Sequence, residues 1–348
     1  MVKYKRILIL AVIFLLTTWF ANHPFWVEKY YSTGIYPYIG ITLRAVTGWI
    51  PFSLGDVLYF AAGIWLVWAV VAFFRGLRRR DWLGWGRRLV EGVLIFLIVF
   101  DLAWGLNYNR LGIAYQLKLK PSEYSDTTLQ NLIDTLTERL DQTRLALGEH
   151  RVYPRDLPAG ARAAYGRLAE TFSFLHYRVG SVKASVYGDL DNYMGFLGYY
   201  NPWTGEAQVD HAVPPFSIPY TTCHEMAHQL GYASESEANF VGYLAAVRSP
   251  DTLFRYSAYF DLFNYANREM FYRDSAQARR NYRQLDTLVK ADFHEWAVFL
   301  RAHRNPLEPI LNWMYDGYLK ANKQPKGINS YDEVTGWLIA YQQKYGAL

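Results

Sequence analysis

The hydrophobic pattern divides the chain unevenly. Ile7–Val27 contains no Asp, Glu, Lys or Arg and follows the basic start Lys3, Lys5 and Arg6. Leu54–Phe74 carries one charge, Asp56, near its start. Leu89–Leu106 is apolar apart from Glu91 and Asp101 near its ends. A helix needs about 20 apolar residues to cross a bilayer, so the pattern predicts three membrane spans, over about 7–27, 54–74 and 89–106. The first run is expected to stay as an anchor. Thr18-Trp-Phe-Ala-Asn22 lacks the small-x-small pattern of a signal cleavage site, and further apolar runs follow. Ile35–Phe52 is a weaker apolar stretch with Arg44 as its one charge. Its Pro37, Gly40, Gly48 and Pro51 suit an interfacial or re-entrant segment better than a fourth span.

Beyond residue 110 the pattern changes to that of a folded, water-exposed domain. Within Ser122–Leu147 the residues Leu129, Leu132, Ile133, Leu136 and Leu140 recur at three and four, the spacing of a helix with one buried face. Pro158–Leu175 continues as helix. Val179–Tyr187 is strand-like, and the stretch to about Tyr220 is dense in Gly, Pro, Asn and Tyr, as loops and short strands are. Glu206–Asp210 alternates polar and apolar side chains. From Tyr220 onward helices dominate, with breaks near Gly231, Pro250, Pro306 and Pro325-Lys-Gly. The expected organisation is an N-terminal three-helix transmembrane region over 1–110, followed at 111–348 by a mainly α domain with a small β-sheet.

Composition sharpens this division. The 348 residues are 51% hydrophobic and include a single cysteine, which excludes a disordered chain, a disulfide scaffold and a Cys-rich metal site. The net charge is +5 and the pI near 9.0. Residues 1–110 hold a net +7 and residues 111–348 a net −2, so no basic stripe remains on the folded domain for a nucleic acid. The excess belongs to topology. Arg75, Arg78, Arg79, Arg80, Arg87 and Arg88 lie between the second and third runs, and short basic loops stay in the cytoplasm. The expected placement is a multi-pass inner-membrane protein, its N-terminus cytoplasmic and its domain extracytoplasmic, with membrane lipid as a partner.

The residues that carry chemistry are Thr221-Thr-Cys-His-Glu-Met-Ala-His-Gln-Leu-Gly231. On a helix, His224 and His228 stand one turn apart on one face, able to chelate one ion. Glu225 points about 100° away, toward where a metal-bound water sits. Two neutral imidazoles suit zinc, the ion lowers the pKa of its water, and the glutamate takes the proton. A third ligand is expected just downstream, in Gly231-Tyr-Ala-Ser-Glu-Ser-Glu-Ala-Asn-Phe240. Gly231 suits the end of the motif helix. Ser234 suits the N-cap of the next, with Glu237 completing a capping box. That would occupy Glu237 and leave Glu235 as the preferred ligand, Glu237 remaining the alternative. Asn239, four residues beyond Glu235, is placed to accept an N–H from a ligand histidine. Cys223 reads as a small buried residue, and His211, His294 and His303 have no partner at ligand spacing. Tyr200 and Tyr315 are examples of tyrosines that could stabilise an oxyanion, although nothing in the sequence selects one.

His224-Glu-x-x-His228 with Glu235-x-x-x-Asn239 resembles the gluzincin metallopeptidases, whose downstream pattern has Asp where this chain has Asn239. The three apolar runs, Pro51-Phe-Ser-Leu-Gly-Asp56, Tyr200-Asn-Pro-Trp-Thr-Gly-Glu-Ala-Gln-Val209 and the HExxH segment together resemble an uncharacterised bacterial family of membrane-anchored HExxH proteins. These resemblances imply a zincin-like domain and a zinc-dependent hydrolysis of peptide or protein substrates, with Glu225 as general base. They also imply an edge strand lining the cleft before the motif helix, a place that Glu206–Asp210 matches. Two other classes fit the motif: a non-catalytic zinc-dependent sensor or transducer, and a zinc hydrolase acting on a non-peptide cell-envelope substrate.

Overall fold

A computed structural model describes residues 2–78, 82–148, 156–324 and 333–346. The N-terminal third comprises α1 (Val2–Ala21), a short α2 (Pro24–Trp26), a π-helical stretch Val27–Ile35, α3 (Tyr36–Thr47), α4 (Leu54–Arg78) and α5 (Trp82–Ala103). A 3-10 turn, Gly105–Asn109, and α6 (Gly112–Leu117) lead to α7 (Asp126–Leu147) and α8 (Leu157–Thr171). The strands follow: β1 (Val182–Ala184), then α9 (Gly188–Met194), β2 (Gly198–Asn201) and β3 (Glu206–Val209). The rest is helical: α10 (Ile218–Gln229), α11 (Glu235–Ala246), α12 (Thr252–Arg273), α13 (Ser275–Gln284), α14 (Thr287–Ala302), α15 (Glu308–Ala321) and α16 (Val334–Tyr345). The protein is therefore mainly α with a small sheet. The break expected at Pro325-Lys-Gly lies outside the described residues.

Among the described residues two helices, not three, are long and apolar enough to cross a membrane. These are Tyr4–Ala21 and Leu54–Gly76, and neither buries any of its apolar window against the rest of the molecule. The predicted span over 89–106 is corrected. Its helix ends at Ala103, and Trp104 and Leu106 turn into the folded body and are buried there. Arg87, Arg88, Glu91 and Asp101 fall within the length that a crossing by α5 would need. The span predicted over 7–27 also stops early. α1 ends at Ala21, and Val27 is completely buried. Of the six arginines between α4 and the apolar part of α5, Arg79 and Arg80 lie outside the described residues.

The segment from Val27 to Thr47 packs on the body rather than on lipid. Val27, Tyr31 and Tyr36, four and five residues apart, share one face of the π-helical stretch and its continuation. They form a small apolar cluster with Trp104, Leu106 and Tyr200. Inside it lies a buried ion pair. Glu28 accepts from Arg110 Nε at 3.0 Å and Nη2 at 2.9 Å, and from Gln116 Nε2 at 2.9 Å. The third Arg110 nitrogen donates to the Gly231 carbonyl at 3.0 Å.

The main core is built as the periodicity predicts. Leu129, Leu132, Ile133, Leu136 and Leu140 of α7 are fully buried, and Ser125 caps the helix by accepting from the Thr128 amide at 3.1 Å. They pack with α8, α10, α11, α12 and α16 in one cluster. The sheet has the order β1-β3-β2, with β3 parallel to β1 and antiparallel to β2. The expected edge strand at Glu206–Asp210 is thus the central strand, and all four of its residues are buried. Its polar side chains alternate because they have internal work. The Glu206 carboxylate accepts from the Leu54 amide at 3.2 Å and the Gly55 amide at 2.6 Å, a negative charge at the N-terminus of α4. Gln208 donates to Ser53 Oγ at 3.0 Å.

Removing one member of a buried pair strands the other charge. Arg110→Met is expected to cost about 3–5 kcal/mol of stability. Thermal unfolding in detergent checks this: the midpoint should fall well below that of the double replacement Arg110→Met with Glu28→Met, which leaves neither charge stranded.

Candidate metal centre

Every residue of α10 is buried, from Ile218 to Gln229. The helix closes where the sequence places its end. Gly231 takes φ +87°, its amide reaches the His228 carbonyl at 2.9 Å, and the Tyr232 amide reaches Ala227 at 3.2 Å. The chain then enters α11, which packs along α10 at very short range. A Cβ at Gly242 would stand 2.9 Å from the His224 amide nitrogen, so only glycine lets the two backbones approach this closely.

The capping box is not formed. Ser234 occupies the N-cap of α11 but makes no side-chain cap. Glu237 turns instead to the start of α6, accepting from the Ile113 amide at 2.8 Å. Glu235 is left facing the histidines, though for a different reason than the capping box. His224 Nε2 and His228 Nε2 are 3.1 Å apart, and Glu235 Oε2 lies 3.2 Å from the first and 3.6 Å from the second. These three residues form the metal-capable cluster of His, Cys, Asp or Glu found among the described residues. The spacing fits zinc, because ligand atoms at about 2.0–2.1 Å from a tetrahedral ion stand about 3.3–3.4 Å from each other. Glu235 Oε2 is buried without a hydrogen-bond partner, as a carboxylate oxygen awaiting a cation would be.

The surroundings orient the three donors. His228 Nδ1 lies 2.7 Å from the Tyr232 carbonyl; as the N–H tautomer it donates there and leaves Nε2 to the ion. Tyr315 donates to Glu235 Oε1 at 3.0 Å, leaving Oε2 for the site. The Glu235 amide donates to Gln324 at 3.1 Å. Asn239 does not reach a ligand histidine. Its carbonyl and Oδ1 accept from Tyr220 at 3.0 and 3.4 Å, and its Nδ2 and His224 Nδ1 are both buried without partners. Glu225 follows His224 into the cleft, and its Oε2 is buried and unpartnered. Burial pushes the Glu225 carboxyl up to about 7, against the pull of both histidines. Burial works against a charged His228, but the Glu235 carboxylate more than reverses it and lifts the imidazole to about 9. Burial likewise opposes the Glu235 charge, and the two imidazoles outweigh it, holding that carboxyl well below the usual range.

The carbonyl end of α10 is held by residues the sequence did not single out for the site. Arg44 donates to Gln229 at 2.7 Å and to Val179 at 2.7 Å. Tyr36 reaches the His228 and Gln229 carbonyls at 3.4 and 3.3 Å, and Trp104 Nε1 the His228 carbonyl at 3.4 Å. A lone arginine in an apolar stretch was the available signal for Arg44. The histidines open onto a cleft of about 1000 Å³. β2 lines it, and a Cβ on Gly198 would stand 3.2 Å from Glu225 Oε1. The edge strand beside the site is therefore β2. The Tyr200 hydroxyl is turned to Tyr36, 3.2 Å away, whereas Tyr315 is at the site. Cys223 is fully buried and its thiol is pushed up by burial, as suits a packing residue. His211 is exposed, and His303 packs its ring on Tyr193 and Phe299.

Residues 31–339 match the model of a family described as protein of unknown function (DUF3810), and the chain belongs to that family. No curated protein and no solved structure matches it. The matched region contains α4, the sheet and all of the centre.

Metal content of the purified full-length protein checks the ligand set. Zinc is expected to bind stoichiometrically, to be stripped by chelators, and to be lost in His224→Ala, His228→Ala and Glu235→Ala. Glu237→Gln is expected to retain it.

Proposed function

We propose that this chain is a membrane-anchored zinc metallopeptidase. The observation that carries the reading is the meeting of His224, His228 and Glu235 within 3.1–3.6 Å of one another at their donor atoms, with the unpartnered Glu225 beside them in the same cleft. The likeness of the motif to gluzincins supports it, as does the position of β2. His224, His228 and Glu235 would hold zinc. Bound there, zinc supplies a water of lowered pKa and polarises the scissile carbonyl. Glu225 accepts the proton of the attacking water at Oε2 and passes it to the leaving amine. The outer edge of β2 pairs with no other strand among the described residues, and it offers backbone groups to an extended substrate. Asn239 departs from the gluzincin aspartate, and Tyr232 takes over the orienting of a ligand histidine.

The membrane arrangement follows from the two candidate spans. α1 and α4 are the two crossing helices of this reading. α5 packs against both and is not itself among the helices long and apolar enough to cross.

Glu225→Gln is the decisive variant. It is expected to keep its zinc and to cleave a peptide library about 10²–10⁴-fold more slowly than the unaltered chain. Full activity in the variant would remove Glu225 from the mechanism. Zinc binding with no hydrolysis by the unaltered chain would leave the sensor reading in its place.

A further inference from the structure

The walls of the cleft speak to the substrate. From the metal centre it runs to Leu58, Tyr59 and Ala62 on α4 and to Phe96 and Phe100 on α5. α4 is a candidate span with no buried residue in its apolar window, and its Phe60, Ile64 and Trp65 are 58–63% exposed on either side of those cleft residues. Ala62 is eight residues beyond Leu54, about 12 Å along the helix at 1.5 Å per residue. The cleft that holds the histidines therefore continues down the flank of a lipid-facing helix.

We infer that the substrate is a polypeptide anchored in the same membrane, its apolar segment lying between α4 and α5 while the adjoining extended stretch reaches the metal centre. This rests on the peptidase reading above. The walls favour such a chain. Tyr59 stacks on Tyr199 at 5.9 Å, and Phe96 and Phe100 lie 5.5 and 6.1 Å from Trp203, making a continuous aromatic lining from span to strand. Among the described residues no Lys or Arg lines the cleft; the charged residues there are Asp191, His224, His228, Glu225 and Glu235. Outside the metal centre, a phosphate or an anionic headgroup would meet no cation on these walls, whereas an uncharged apolar segment loses water contact at every one of these side chains. The free edge of β2 distinguishes a polypeptide from a lipid chain, because an acyl chain has no backbone to pair with it. Gly198 lets β2 lie directly against Glu225, where a Cβ would come within 3.2 Å of the carboxylate, so an extended chain on this strand runs beside it.

The full-length zinc-loaded protein in liposomes tests this with three forms of one fluorogenic peptide library: free, fused to a short Leu/Ala segment, and palmitoylated. The Leu/Ala form is expected to be cleaved at least about tenfold faster than the free form, the worth of burying about two methylene groups. Ala62→Trp narrows the membrane end of the cleft, and Leu58→Trp does so from the turn above. Each is expected to keep its zinc and to bring the ratio of anchored to free cleavage toward one. Equal rates for free and anchored forms overturn the inference and leave the peptidase reading standing. So does an advantage that persists in both tryptophan variants, since that measures shared partitioning into lipid. A gain for the palmitoylated form alone replaces the polypeptide segment with a lipid chain. Cleavage of no form by zinc-loaded protein removes the peptidase reading and this one with it.

Discussion

The last carbonyls of a buried helix need donors, and in α10 those donors come from far away in the chain. Arg44, Tyr36 and Trp104 together satisfy His228 and Gln229, while Arg110 takes the Gly231 carbonyl just beyond. Without them the motif helix would end in unpaired polar groups inside an apolar body, a cost that no metal ligand could offset on its own. The position of both histidines therefore depends on segments that flank the two candidate spans. Gln229 extends the same network to the sheet, donating to Ser181 and Gly205 at 2.8 and 2.7 Å. One hydrogen-bond network thus joins the helix end, the sheet and the N-terminal segments.

The approach of α11 to α10 is the second constraint. With Gly242 against the His224 backbone, the two helices lie close enough for a side chain as short as glutamate to reach both imidazoles. A close crossing of this kind leaves no room for water between the backbones, so the donors are held by packing before any ion arrives. Electrostatics then favour a cation, because one carboxylate and two nitrogen lone pairs converge in a buried space. The aromatic lining on the other side of the site keeps the local dielectric low, which strengthens that preference.

Much of this was legible from residues alone, and the failures have physical reasons. The leucine and isoleucine positions of α7, the helix around His224 and the glycine stop at Gly231 follow from local rules, and all appear in the structure. Glu235 could be chosen, but by a capping box that Glu237 does not make; Glu237 serves a helix more than a hundred residues away in sequence, beyond the reach of any local rule. Asn239 stood at a reasonable spacing, yet Tyr220 claims it. The likeness to gluzincins puts Glu206–Asp210 at a sheet edge, where its polar side chains would face water. Here they face the first turn of α4. The third apolar run was overread for a similar reason: Trp104 and Leu106 are apolar because they enter a protein core, not a bilayer.

That first turn of α4 carries a consequence of its own. Glu206 holds the Leu54 and Gly55 amides, and Asp56 accepts from the Val186 amide and from the Tyr199 hydroxyl on the edge strand. A membrane anchor is often treated as a tether, replaceable by any apolar helix of the right length. This one is a structural member. Exchanging it for a generic span would take the Asp56 carboxylate away from the Val186 amide and the Tyr199 hydroxyl, and cutting the chain after residue 110 would also remove Glu28, Tyr36, Arg44 and Trp104 from the body they complete. The folded body is thus finished only where it meets the first turn of α4, the helix whose apolar remainder is a candidate span.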